Sequence, residues 1–415
     1  MLTAINEKGK FVSLVRKLSE AELQDWRCNH TFYCPECKEQ LTIKAGTVRI
    51  MHFSHKRNTN CVSMFEGESE LHLEGKQDLY QFFHTQGIEV YLEYYLTNRK
   101  QRPDLYVKHE GRRFAIEYQC SSIPSEQLAR RSLGYENERI TPLWIYGGVP
   151  YQKQLNSHTF QLSEFHFALA KQRAQKNLSI LSYSPKTKRI YLLHGIIPLT
   201  TRKVHATLYS HRLFTSTIPQ QISIIPRKLN PIKWKQEKNK WLSAKVRSSN
   251  LARESFIKSV YTANDNPYML PIICGLPCYM MECFHSHPLE WQYYIYQDCL
   301  KNLIIGQKIS LKYVFQKMKM RIRNGFLFVR TFPLQQYNSW EEAVIQYFLQ
   351  LVKLEYFSRI GEDLFQKLKH IQTASSYEEA IKQEYAFYEQ WQMPFQPERI
   401  VNECIFFSKQ ELLLK

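Results

Sequence analysis

Apolar residues recur at helical spacing in the last third of the chain and at alternate positions through much of the first half. Trp340–Phe357, Ile360–Thr373 and Tyr377–Trp391 carry the helical period, and Ser375 is expected to cap the last of them, with Glu378 three residues on. Upstream, Leu71, Leu79, Phe82 and Phe83 form one stripe, which predicts a helix from Glu68 to about Gln86. Glu68, His72 and Lys76 follow i, i+4, i+8 beside that stripe, and Gly75 near it is expected to permit close packing. A strand over Ile88–Tyr95 should follow, carrying Glu89 and Glu93 among alternating apolar residues. Asp104–Val107 and Phe114–Cys120 read as two strands around the turn signal His109-Glu-Gly-Arg112, and Ile190–His194 and Lys203–Leu208 as two more. Gln40–Lys44 and Val48–Phe53 look like a small hairpin around Ala45-Gly46.

These patterns divide 415 residues into four regions, an α+β multidomain chain. Residues 1–65 hold a cysteine and histidine cluster and should form a zinc-ribbon-like module. Residues 66–165 read as a central α/β core, 166–260 as a basic linker and β region, and 261–415 as a mostly helical domain. Gly is only 14 of 415, with neither G-x-G-x-x-G nor G-x-x-x-x-G-K-[ST] present, which argues against a dinucleotide site or a P-loop. The start, Met1 to Lys10, lacks a sustained apolar core, and the apolar run Tyr268–Phe284 is short and broken by Pro271 and Pro277. A cytoplasmic protein without a membrane span is expected.

Charge sharpens this picture. The net charge is +18, and residues 171–260 hold 19 basic residues against two acids, Glu237 and Glu254. A polyanion partner explains such segregation, and DNA is the expected one. Within the segment, Lys233, Trp234, Lys235, Lys238, Lys240 and Trp241 interleave aromatics with cations, which suits backbone contact plus base stacking on single strands. The alternative is a solvated amphipathic helix. Arg131 and Tyr135, four apart on an expected helix, could touch DNA or simply pack.

Ten cysteines suit thiols or metal ligands rather than a disulfide framework. Cys34-Pro-Glu-Cys37 is a C-x2-C knuckle, and His52, His55 and Cys61 follow at a spacing that suits a structural zinc ion. His52 and His55, three apart, would face opposite sides of one strand, so Cys61 could replace either. Cys28 is a weaker candidate. Cys274, Cys278, Cys283 and Cys299 are irregularly spaced in apolar surroundings and read as core thiols.

The chemistry concentrates in the central hairpin. Folded symmetrically about Glu110-Gly111, it sets Leu105 opposite Ile116 and Asp104 opposite Glu117. Two acids that close repel unless a cation lies between them, and hard oxygen ligands suit magnesium or manganese. Glu117 and Gln119 share one face; Ile116, Tyr118 and Cys120 share the other.

At this point the residues resemble the PD-(D/E)XK nucleases and, more narrowly, the competence protein CoiA family. The matching features are Cys34/Cys37 with His52-Phe-Ser-His55, Glu68-Ser with His72 and Lys76, Arg102-Pro-Asp104, Ile116-Glu-Tyr-Gln-Cys-Ser121, Arg131 with Tyr135 ahead of Trp144-Ile, and Pro288-Leu-Glu-Trp-Gln292. The resemblance implies a restriction-endonuclease-like core and the processing of incoming DNA for recombination during natural transformation, on single-stranded or branched substrates and alongside recombination proteins. It implies that Asp104 and Glu117 hold Mg2+ or Mn2+, with Glu68 the acid of the first helix and Glu93 a further carboxylate. Gln119 stands where that superfamily has lysine. Lys76 is then expected to supply the missing charge, and His72 to bind phosphate or a water. A DNA-binding recombination mediator without turnover is the alternative, and a zinc-dependent transcriptional regulator a more distant third.

Overall fold

The computed structural model describes the chain except residues 17, 47–49, 57–60, 62–68, 173–177, 216–220, 225–229, 249–253, 336–338, 392–400, 405 and 407–415; for 221–224 and 401–404 it describes the backbone alone. Its first sheet is built from β1 (Thr3–Asn6), β2 (Phe11–Ser13), β3 (Phe32–Tyr33), β4 (Gln40–Lys44) and β5 (His52–His55), in the order β2-β1-β3-β4-β5. Helix α1 (Glu20–Asn29) enters through a capping box, Ser19 with Glu22. Met1, Ala4, Phe32, Leu41 and Phe53 form a small core here.

Helix α2 (Glu70–Thr85) follows, capped by Ser69, and buries Leu73, Leu79, Phe82 and Phe83. Next come β6 (Glu89–Leu92), β7 (Leu105–His109), β8 (Arg112–Gln119), α3 (Ser125–Glu136) and β9 (Thr141–Gly147). The β7–β8 register pairs Leu105 with Ile116 and His109 with Arg112, as the sequence symmetry requires. Glu110 (φ 48°) and Gly111 (φ 74°) both adopt left-handed conformations, and such two-residue turns match the twist of the flanking strands. Strands β8 and β9 run parallel, a pairing that needs a crossover, here supplied by α3.

The sheet does not stop near residue 165. After β10 (Lys153–Asn156), β11 (Thr159–Gln161), α4 (Glu164–Leu169) and β12 (Lys171–Gln172), strands β13 (Leu178–Ser184), β14 (Arg189–Pro198) and β15 (Lys203–Arg212) join it. The order is β10-β11-β15-β14-β13-β9-β8-β7-β6, with β12 on β13. The strands expected at Ile190–His194 and Lys203–Leu208 of the basic region therefore lie in the central sheet, as parts of β14 and β15. Residues of β13 and β14, such as Ile180, Tyr183, Ile190 and Leu193, are fully buried.

Strand β16 (Gln221–Ile224) leads to α5 (Pro231–Val246) and α6 (Ser255–Thr262). The body beyond contains α7 (Pro288–Ile295), β17 (Lys308–Ser310), α8 (Leu311–Arg323), α9 (Trp340–Lys353), β18 (Phe357–Arg359), β19 (Leu364–Lys367) and α10 (Tyr377–Gln390), and β20 (Val401–Cys404) returns to pair with β16. One core joins it to the sheet, from Phe160 and Phe167 through Trp234 and Trp291 to Tyr388. The expected helix over Ile360–Thr373 is a correction. Phe365 and Lys367 bury at alternate positions of β19, which pairs with both β17 and β18, so a period of two prevails. The cap of α10 is Ser376, one residue later than expected; its hydroxyl accepts from Glu379 N. No helix among the described residues is long and apolar enough to cross a membrane.

Candidate functional site

Period two decides what surrounds the hairpin acids. Ile116 and Tyr118 turn toward α2 and share a core with Leu73, Leu79 and Phe82. Ala115 turns the other way, to Tyr135 and Ile140 on the α3 side. Gly75 makes the α2 contact possible: a Cβ there would fall 2.0 Å from Tyr118 Cε1.

Asp104 lies one step before Leu105 and Glu117 one step after its partner Ile116, and each acid is held by a different helix. Asp104 Oδ2 accepts from Tyr118 N at 2.8 Å and meets His72 Nε2 of α2 at 3.2 Å, while Lys76 Nζ stands 3.6 Å from Oδ1. Burial opposes ionisation of Asp104, but His72 and Lys76 together with these hydrogen bonds outweigh it and hold the carboxyl well below its usual range. Glu117 points to α3. Arg131 Nη2 donates to its Oε1 at 2.6 Å, Arg131 Nε at 3.2 Å, and the Tyr135 hydroxyl donates to the same oxygen. Burial pushes Glu117 up to about 7 against the pull of Arg131, and the nearby charge of Asp104 adds to the rise. Among the described residues no third His, Cys, Asp or Glu joins both acids closely enough to share one ion.

Glu93, expected as a further metal carboxylate, has another occupation. It sits at the end of β6 with φ 49°, a costly conformation for a residue with a side chain, and its backbone N–H donates to Asp104 O. Its Oε1 accepts from Leu2 N at 2.9 Å and Lys76 Nζ at 2.5 Å; its Oε2 accepts from Thr3 N at 3.0 Å and Thr3 Oγ1 at 2.8 Å. Both oxygens are thus taken by the N-terminal strand and Lys76. This carboxylate ties the first module to the central sheet and, through Lys76, to Asp104. Lys76 is fully buried, so it reaches the site only through these acids. Nothing in the sequence marks the link, because the Leu2 and Thr3 donors include main-chain groups carried by every residue.

Gln119 lies at the end of β8 with Nε2 on Ser121 O at 2.9 Å. Glu68 lies outside the described residues. The expected DNA contacts Arg131 and Tyr135 are instead the groups that orient Glu117; Tyr135 is fully buried and cannot meet a strand. The basic helix α5 is also corrected. Trp234 is 1% exposed, donates to Gly275 O and stacks on His287, which also stacks on Trp241. Lys238 is buried in an ion pair with Glu384, Lys235 lies over the Tyr385 ring, and Lys233 Nζ reaches Thr159 Oγ1. Only Lys240 of the six is exposed, 3.6 Å from Glu237. Trp234 is a core residue, and Trp241 is half-buried against that core with one face on His287.

In the first module, Cys34, Cys37, His55 and Cys61 place their ligand atoms within 4.8 Å of one another. Cys34 Sγ and Cys61 Sγ are 3.9 Å apart, far beyond a disulfide and near the ~3.8 Å edge of a tetrahedron with zinc–sulfur bonds of about 2.3 Å. Three thiols and one imidazole form a set that could bind zinc. Cys34 and Cys61 are buried, and burial raises the Cys34 thiol and pushes that of Cys37 up to about 12, so these last two stay protonated unless a cation holds them. His52 is excluded from the cluster. Strand β5 turns it away from His55, and its Nδ1 meets Ile50 O at 2.8 Å. Cys28 is exposed and apart. Cys274, Cys278, Cys283 and Cys299 are buried free thiols that join no such cluster among the described residues.

Comparison with known proteins agrees along the chain. Residues 15–64 match the family model for the N-terminal domain of competence protein CoiA, 68–224 that for its nuclease-like domain, and 230–381 that for its C-terminal domain. Competence protein CoiA of Bacillus subtilis (strain 168) is 28% identical over 347 residues, covering 80% of this chain and 89% of that protein. No solved structure matches.

Proposed function

Because the chain belongs to the competence protein CoiA family and carries that family's nuclease-like domain, we propose that it is a metal-dependent DNA nuclease or nickase. Its action would process DNA for recombination during natural transformation, in the cytoplasm, where free thiols such as its nine described ones persist. The observation that carries this reading is the pairing of an acid held ionised, Asp104, with a second acid, Glu117, that titrates near neutrality beside it.

The donor chemistry fits a hard divalent cation. Asp104 Oδ1 has Lys76 at 3.6 Å rather than a hydrogen bond, and the Arg131 and Tyr135 donors crowd onto Glu117 Oε1, leaving Oε2 to a ligand. Magnesium is commonly bound by one or two carboxylates plus waters and substrate phosphate. Asp104, Glu117 and the side-chain carbonyl of Gln119 would hold it or manganese. Such an ion, when bound, polarises the scissile phosphate and acidifies a water. The rest falls to the chain. Lys76, buried and bound to Glu93, keeps Asp104 charged and is a positioning residue. His72, with 18% of its side chain exposed, is the imidazole placed to meet a phosphate oxygen or orient the attacking water. Arg131 and Tyr135 fix the rotamer of Glu117.

One observation favours a mediator without turnover: Gln119 brings no charge, and its amide nitrogen is engaged by Ser121. Purified protein with Mg2+ or Mn2+ on nicked, branched and single-stranded DNA separates the two. The nuclease reading requires cleavage that Asp104→Asn and Glu117→Gln abolish while DNA binding persists. Binding without cleavage, with transformation indifferent to both substitutions, would leave the mediator.

A further inference from the structure

Burial of Trp234 and Lys238, with Trp241, Lys233 and Lys235 half-buried, leaves little of α5 for the expected DNA interface, and a different helix presents one. Helix α8 carries Lys312, Lys317, Lys319, Arg321 and Arg323 and no acid. Leu311, Val314 and Met318 bury one face in the C-terminal core, with Phe315 and Ile322 packed against it. The opposite face repeats Lys312, Gln316, Lys319 and Arg323 at i, i+4, i+7 and i+11, all exposed. That row runs about 17 Å along the helix axis. Tyr313 (43% exposed) and Met320 (58%) flank it, and Lys317 Nζ lies 5.4 Å from the centre of the Tyr313 ring.

The cations differ in availability. Arg321 is committed to Asp298 by two bonds of 2.7 and 2.8 Å and stacks on Tyr294. Lys319 has Glu341 only at 4.0 Å, with 63% of its own side chain exposed. Lys312, Lys317 and Arg323 form no ion pair among the described residues. A row of unneutralised cations on a rigid helix, beside an exposed aromatic ring, matches a sugar–phosphate backbone with a base able to stack. A lipid surface matches less well, because a helix lying on a membrane inserts its apolar face, and here that face is inside the protein core.

We propose that the exposed face of α8, centred on Lys312, Lys319 and Arg323 with Tyr313, is a DNA-binding surface of this protein. The proposal rests on the reading that the chain acts on DNA, and it moves the contact from the basic segment to the C-terminal body. The test is fluorescence anisotropy of labelled single-stranded and duplex DNA with the full chain across a salt series. The variants are Lys312→Glu/Lys319→Glu/Arg323→Glu and a scattered control of equal charge change, Lys8→Glu/Lys153→Glu/Lys382→Glu. With a salt slope of about 0.7 per phosphate contact on single strands, three lost contacts should flatten the slope by about 2 and weaken binding roughly 100-fold near 0.1 M salt. The control should change affinity by no more than a few-fold. A neutral version, Lys312→Gln/Lys319→Gln/Arg323→Gln, should flatten the slope equally and guards against misfolding.

Equal losses from both charge-reversed triples, no loss from the α8 triple, no DNA binding by the unaltered chain, or tighter binding to anionic vesicles than to DNA would each overturn the proposal. Cleavage on the same preparations reports separately on the nuclease reading. DNA bound through α8 but not cut overturns only that reading.

Discussion

The buried Lys76–Glu93 pair is the contact on which both the N-terminal docking and the charge of Asp104 depend, so its removal has a calculable signature. Both side chains are at most 1% exposed, 2.5 Å apart. Removing one partner of a buried pair costs about 3–5 kcal/mol, most of it from the charge left behind. Lys76→Met leaves Glu93 with donors from Leu2 and Thr3 on both oxygens. That stranded carboxylate remains well hydrogen-bonded, which puts the cost near ~3 kcal/mol. Glu93→Gln is worse. It takes from the buried Lys76 its 2.5 Å carboxylate partner, with Asp104 3.6 Å away, and turns an amide N–H toward donors, so about 5 kcal/mol is expected. The double variant strands no charge at this pair and should cost about the same as the worse single change, a coupling of about 3 kcal/mol. The cycle is read by urea unfolding, with hydrogen exchange of the peptide containing Leu2 and Thr3 as the local probe. Additivity within about 0.5 kcal/mol would refute the argument, as would unprotected Leu2 and Thr3 amides in the unaltered chain.

Three further outcomes follow from other parts of the molecule. His55→Ala and Cys61→Ala should lose the bound zinc that the purified protein is expected to hold at one equivalent, whereas His52→Ala should retain it, as metal analysis of the three variants would read. Glu282 is buried and pushed up to about 7, so the native state keeps a proton that the unfolded chain releases near 4.5. Its stabilising contribution is complete below pH 4.5 and is lost as pH rises to 7, a change of about 3 kcal/mol that Glu282→Gln should remove from a series of unfolding midpoints. Gly75→Ala should destabilise by about 1–3 kcal/mol in thermal unfolding despite alanine's better helix propensity, because the methyl would overlap the Tyr118 ring, and Tyr118→Leu should relieve most of that cost.

The features legible in the sequence are those set by neighbours along the chain. The turn at Glu110-Gly111 and strict alternation on either side determine that Leu105 pairs with Ile116 and His109 with Arg112, and the structure has that register. The Cys34/Cys37 knuckle and the opposite facing of His52 and His55 follow from local spacing, and the fourth position goes to Cys61. Helices α2, α9 and α10 follow from the period of their apolar stripes. What only the tertiary structure decided is which surface meets which. A helix rich in lysine and tryptophan has the same pattern whether its aromatics face solvent or core, and the partners His287 and Glu384, which bury α5, lie far along the chain. Arg131 and Tyr135 orient an acid because α3 packs over Glu117, and Glu93 is occupied by main-chain donors of residues 2 and 3. Backbone and side-chain polarity along a sequence states how many hydrogen bonds and charges must be satisfied. The partner of each is chosen by packing, since burial makes a distant group within 3 Å worth more than any neighbour that cannot reach.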